Sequence, residues 1–193
     1  MKPMTLTLAN RLTMARIALI PPIALLVMIG EPATGWVALA LFAGAAVTDY
    51  FDGVVARARG EITMLGRCLD PIADKLLVAT VLLTLLAADR APLLPVLVIV
   101  LRELVISGLR EVLAGHGPAL PVTRLAKWKT TAQMVALALL ILGDASADAA
   151  VAGEVLLWVA ALLTLITAVD YVRSAFARLG AEPADGAARQ MEG

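Results

Sequence analysis

Six apolar segments, each long enough to cross a lipid bilayer as a helix, occupy nearly all of this 193-residue chain. A span needs about 20 residues. The segments run roughly over residues 12–28, 36–58, 64–88, 93–113, 125–142 and 151–172. Turn-forming residues separate them: Gly30, Glu31 and Pro32, then Gly60 and Glu61, then Asp89, Arg90 and Pro92, then a Gly- and Pro-rich stretch from Gly115 to Pro121, then Gly143 and Asp144. Lipid offers no partner to open backbone groups, so segments of this kind must be helical. A β-barrel would need alternating runs of about ten residues, and these runs are continuous. The expected fold is an all-α integral membrane protein with six transmembrane helices. Residues 1–178 read as a single domain and residues 179–193 as a polar tail, expected to be disordered. The basic N-terminus before an apolar run has the look of a signal peptide. Pro21 and Pro22 interrupt the run and no clear cleavage site follows, so it reads as a retained first span.

Composition agrees with a lipid environment. The chain is 61% hydrophobic and 17% charged, against about 45–50% and about 25% in soluble domains. That excludes a disordered chain and a nucleic-acid binder with a basic face. The lone cysteine, Cys68, excludes a disulfide framework and any multi-thiolate metal site. Formal net charge is zero, yet the signs are separated along the chain. With the N-terminus in the cytoplasm, Arg90 alone of the 16 basic residues falls outside. The positive-inside rule therefore predicts a multi-pass protein of the inner, cytoplasmic membrane with its N-terminus inside.

Four carboxylates stand in or at the edge of the apolar segments: Asp49, Asp52, Asp70 and Asp74. One charge at the centre of a span costs on the order of 3 kcal/mol on insertion scales. Asp49 and Asp52 are spaced i, i+3, and Asp70 and Asp74 i, i+4, so each pair shares a helix face. The short connection at Gly60 makes the second and third segments antiparallel neighbours, which brings both pairs to similar depth near the cytoplasmic ends. Such a cluster needs protonation, arginine partners or a divalent cation. Oxygen-only ligands favour Mg²⁺ or Mn²⁺, and a hard dication among carboxylates points to phosphate or pyrophosphate chemistry. Gly53 and Ala56 share the face of the first pair and leave room for a ligand or a helix. Arg57, one turn beyond Gly53, is placed to meet a phosphate. Gly66 lies one turn before Asp70, and Pro71 removes a helical hydrogen bond to Arg67, which predicts a local bend.

Taken together, these residues resemble the signature of the CDP-alcohol phosphatidyltransferase family: Asp49-xx-Asp52-Gly53-xx-Ala56-Arg57, eight residues, then Gly66-xxx-Asp70-xxx-Asp74. The resemblance extends over nearly all of the six segments and excludes only the tail. It implies a six-helix fold in which a CDP-linked lipid meets an alcohol and CMP leaves. It further implies two Mg²⁺ or Mn²⁺ ions on Asp49, Asp52, Asp70 and Asp74, with Asp74 as general base. Gly53, Ala56, Arg57, Thr63 and Gly66 match CDP-lipid positions, as do Asn10, Thr13 and Arg16 in an Asn-x-Leu-Thr-xx-Arg segment. The strings around Arg102-Glu103, Ser107 to Glu111 and Leu125 to Met134 are similar to members whose acceptor is glycerol-3-phosphate. The implied partners are CDP-diacylglycerol, glycerol-3-phosphate, membrane lipid and a second copy of the chain, with the active site facing the cytoplasm.

Independently of the resemblance, Arg102, Arg110, Lys127 and Lys129 form a basic group at the cytoplasmic ends of segments four and five. Arg102 and Arg110 are two turns apart and share a face. An acceptor bearing a phosphate needs such a group, and an uncharged alcohol does not. Blander readings stand beside these. The carboxylates could be a proton relay or structural ion pairs with Arg57 and Arg67, the basic residues could be membrane anchors, and Glu103 could simply neutralise Arg102. Other acceptors used in the family (phosphatidylglycerol or an inositol phosphate) remain open, as does a small cation or proton transporter. Against a transporter, the outer halves of segments two and three carry no polar path.

Overall fold

The structure is a computed structural model that describes the backbone of residues 8–59, 64–114 and 124–180. The described residues form six helices: α1 (Leu8–Ile29), α2 (Pro32–Arg59), α3 (Met64–Ala87), α4 (Leu93–Ala114), α5 (Arg124–Ile141) and α6 (Ala147–Gly180). Each apolar segment is thus one helix. Helix α6 begins before its apolar stretch and continues past it, because its flanks are rich in alanine and arginine, both strong helix formers. Helix α1 is continuous through Pro21 and Pro22, and α3 through Pro71. A lost backbone bond is tolerated where neighbouring helices cover the site.

Local chemistry ends each helix. Gly30 has φ 79°, a left-handed conformation that costs glycine little, and Pro32 then opens α2 with its φ already suited to a first turn. After α3 the Arg90 amide donates to the Leu85 carbonyl at 2.8 Å and the Asp89 amide to Leu86 at 3.1 Å. This is a Schellman closure with Asp89, at φ 55°, in the position glycine usually holds. Ser146 caps α6, its hydroxyl oxygen accepting from the Ala149 amide at 3.3 Å.

The helices pack as two groups of three. Helix α1 lies against α2 and α3, and α6 lies against α4 and α5; the groups meet where α2 and α3 touch α5 and α3 touches α4. The core is aliphatic apart from Phe42, with Ile23, Leu82, Leu85, Ile99, Leu137, Leu140 and Leu157 all enclosed beside it. Helices α5 and α6 approach closely at Gly153, where a Cβ would stand 2.9 Å from the Leu140 amide nitrogen.

One contact fixes the direction of the bundle. The Arg90 guanidinium pairs with Asp144 at 2.6 Å. It also packs on Gly30, where a Cβ would meet Nη2 at 2.7 Å. The α1–α2, α3–α4 and α5–α6 turns are therefore clasped together at one end. The N-termini of α1, α3 and α5 and the C-termini of α2, α4 and α6 consequently lie at the other.

All six helices also carry large apolar side chains on their outer faces, among them Leu25, Trp36, Leu83, Leu101, Trp128 and Leu162. Among the described residues, two helices are long and apolar enough to cross a membrane, Asn10–Ile29 and Ala147–Ala177, and Pro32–Thr48 is a shorter apolar one. Charged residues interrupt the others: Asp70, Asp74 and Lys75 in α3, Arg102, Glu103 and Arg110 in α4, Lys127 and Lys129 in α5.

Candidate functional site

Two polar clusters lie toward the end opposite the clasp, one in each three-helix group. The first joins α1 to α3. Asn10, Thr13 and Arg16 recur every three residues along α1, which keeps them on one face, and all three are buried. The Thr13 hydroxyl donates to Asp70 Oδ1 at 2.5 Å. One turn further along, Arg16 Nη1 donates to Asp74 Oδ1 at 3.2 Å. The partners advance in the same direction on both helices, so α1 and α3 run parallel here, as the clasp requires. Arg16 is wholly enclosed, whereas the Asp74 side chain is 49% exposed. The α1 residue thus holds this half-exposed carboxylate from its buried side.

Asp49, Asp52, Gly53, Ala56 and Arg57 belong to the last turns of α2, at the same end of the bundle. Their side chains lie outside the described residues, as does Thr63. Gly66 falls in the first turn of α3. Among the described residues no three His, Cys, Asp or Glu side chains form a metal-binding group. The described part of the expected ligand set is the i, i+4 pair Asp70 and Asp74, an all-oxygen pair facing α1.

The second cluster joins α4, α5 and α6. A single oxygen of Glu103, Oε1, accepts from Arg102 Nη1 at 3.0 Å and also from the Lys129 ammonium. Arg102 Nη2 reaches on to the Thr167 hydroxyl at 3.3 Å. Two turns along α4, the Arg110 guanidinium sits 5.8 Å over the Tyr171 ring, within cation–π range. Arg102 and Arg110 thus turn toward the same helix, as their spacing predicts. Lys129 is buried and Lys127 exposed. Glu103 does more than neutralise Arg102, because it also binds a cation from another helix.

Sequence reasoning brought out the cations and missed what α6 contributes. Thr164 and Thr167 are buried polar groups in an apolar helix. Their i, i+3 spacing, continued to Tyr171, was the available signal. Trp36, Trp128 and Trp158 all point outward.

Comparison with known proteins adds an independent line. A family model described as CDP-alcohol phosphatidyltransferase matches residues 6–166. A Rickettsia typhi protein named CDP-diacylglycerol–glycerol-3-phosphate 3-phosphatidyltransferase is 45% identical over 170 residues, 86% of this chain and 96% of that one. A Bacillus subtilis protein of the same name is 36% identical, over 85% of this chain and 92% of its own. A Mycobacterium tuberculosis protein named as a probable phosphatidylglycerophosphate synthase is 39% identical, over 90% of this chain and 83% of its own.

Proposed function

This chain belongs to the CDP-alcohol phosphatidyltransferase family, and from that premise we propose that it transfers a phosphatidyl group from CDP-diacylglycerol to the primary hydroxyl of glycerol-3-phosphate. The products are phosphatidylglycerophosphate and CMP. The observation that carries the reading is the pair Asp70 and Asp74, presented by α3 and held from α1 by Thr13 and Arg16, in a chain whose relatives bear that enzyme's name.

Asp74 is the general base. It is half open, and Arg16 fixes its orientation. An acceptor hydroxyl within hydrogen-bond reach gives its proton to this carboxylate. The acceptor oxygen forms a bond to the lipid-linked phosphorus as the bond from that phosphorus to the CMP oxygen breaks. Thr13 holds Asp70 in place by its hydroxyl. Asp49, Asp52, Asp70 and Asp74 are the residues that would hold two Mg²⁺ or Mn²⁺ ions, and the all-oxygen donors fit such hard cations. When bound, the ions supply charge stabilisation to the pyrophosphate. Asn10, Gly53, Ala56, Arg57, Thr63 and Gly66 are assigned to the CDP-lipid, and Arg102, Arg110, Lys127 and Lys129 to the acceptor's phosphate.

The setting is a bilayer. Large apolar side chains face outward on every helix, a surface that water tolerates poorly and lipid covers. We assign six spans in the inner membrane, the clasp outside and both polar clusters toward the cytoplasm, with a homodimer as the assembly. Lipid tails enter sideways from the membrane and glycerol-3-phosphate from the cytoplasm.

The test is to reconstitute the purified protein with CDP-diacylglycerol, Mg²⁺ and labelled glycerol-3-phosphate and to follow CMP release. Turnover yielding phosphatidylglycerophosphate is the expected result. Turnover with phosphatidylglycerol or an inositol phosphate, and none with glycerol-3-phosphate, overturns the acceptor. No CMP release with any alcohol overturns the reaction.

A further inference from the structure

Two features of the second cluster are poorly explained by fastening helices alone. First, its charges do not balance. Among the described residues one carboxylate, Glu103, serves two cations, Arg102 and Lys129, which leaves a surplus positive charge where solvent is scarce. Uncompensated charge in such a place is costly. Second, hydrogen bonding is incomplete. Among the described residues, Arg102 Nε and the Thr164 hydroxyl are buried with no hydrogen-bond partner. A buried polar group left without a partner keeps its desolvation penalty unrepaid. A purely structural pair would be neutral and saturated. This cluster is held rigid while remaining short of an anion.

The rigidity comes from residues outside the set of cations. Glu103 draws Lys129 of α5 and Arg102 of α4 onto one oxygen. Its backbone carbonyl also accepts from the Ser107 hydroxyl at 2.5 Å. Thr167 of α6 holds the far nitrogen of Arg102, and its own hydroxyl is anchored on the Leu163 carbonyl at 2.9 Å. A flexible lysine loses side-chain entropy when it is ordered. Ordering it before the ligand arrives removes that cost from binding.

Resting on the proposed reaction, we propose that Glu103 and Thr167 are positioning residues for the acceptor. They hold Lys129 and Arg102 in the geometry that receives the phosphate of glycerol-3-phosphate, so α6 takes part in choosing an anionic acceptor. The alternative role, charge neutralisation by Glu103, predicts the opposite sign. Removing its charge would then make the group more cationic and tighten binding.

The experiment measures KM separately for glycerol-3-phosphate and CDP-diacylglycerol, together with thermal melting in detergent, for wild type, Glu103→Gln, Glu103→Asp and Thr167→Val. Expected is a rise in KM for glycerol-3-phosphate of about tenfold for Glu103→Gln and about threefold for Thr167→Val, since hydrogen bonds to charged groups carry that order of energy. KM for CDP-diacylglycerol should stay within about twofold, and Glu103→Asp should recover part of the loss. A KM for glycerol-3-phosphate that is unchanged or lower in folded Glu103→Gln and Thr167→Val protein overturns the proposal. So does an equal shift of both KM values, and so does loss of the folded protein in both variants, which would assign the cluster to stability. Wild type lacking turnover with glycerol-3-phosphate would instead overturn the reaction on which the proposal rests.

Discussion

Arg16 was expected from the sequence to contact the CDP-lipid, and the structure puts its guanidinium on Asp74. The two roles separate in a double-mutant cycle of Arg16→Gln and Asp74→Asn. At an effective dielectric of 20, two unit charges ~4 Å apart attract by about 4 kcal/mol. The Asp74 side chain is 49% exposed, and solvent screening cuts the usable part to about 1–2 kcal/mol. Spent on orienting the base, that energy corresponds to a loss of about 5- to 30-fold in kcat for Arg16→Gln. Removing the base itself should cost about 10²- to 10⁴-fold. If Arg16 acts through Asp74, the double variant is no slower than Asp74→Asn alone, because groups working as a unit are not additive. The assay is CMP release at saturating glycerol-3-phosphate with CDP-diacylglycerol varied in mixed micelles. A double variant slower than Asp74→Asn by the full Arg16 factor, with KM for CDP-diacylglycerol raised, would refute the positioning role and return Arg16 to the lipid.

Three further outcomes follow from the same geometry. Gly153→Val should lower the melting temperature, because its Cβ would stand 2.9 Å from the Leu140 backbone nitrogen and overpacking costs about 1–3 kcal/mol; melting in detergent reads it. Arg90→Ala and Asp144→Ala should show a coupling of about 1 kcal/mol in a stability cycle, with CMP release at assay temperature unchanged, since the clasp lies at the far end from both polar clusters. Chelation by EDTA should abolish CMP release, with Mg²⁺ or Mn²⁺ restoring it, because the proposed donors are all carboxylate oxygens; full activity in excess chelator would remove the metal from the reaction.

Much of this molecule was legible in one dimension. The six helices followed from continuous apolar runs broken by Gly, Pro and Asp, and their limits lie close to those expected except in α6, which extends past its apolar run at both ends. Helical spacing also put Asp49 and Asp52 on one face and Asp70 and Asp74 on another. These are local properties, since about 100° of rotation per residue decides which side chains share a face before any partner exists. The family followed from the same economy, as the carboxylates, glycines and arginine of the motif stand at set intervals on two consecutive helices.

Which face meets which was decided only in three dimensions. Arg90 looked like a stray charge and proved to be the clasp that gathers three turns. Its role depends on Gly30 and Asp144, far from it in sequence. Lys129 and Arg102 looked like two members of a basic patch, yet both converge on Glu103, with Thr167 of α6 completing the group. Hydrophobic periodicity says that a helix has a buried side; it does not say which helix covers it. That choice comes from close packing among all six, where a small residue such as Gly153 lets two helices approach.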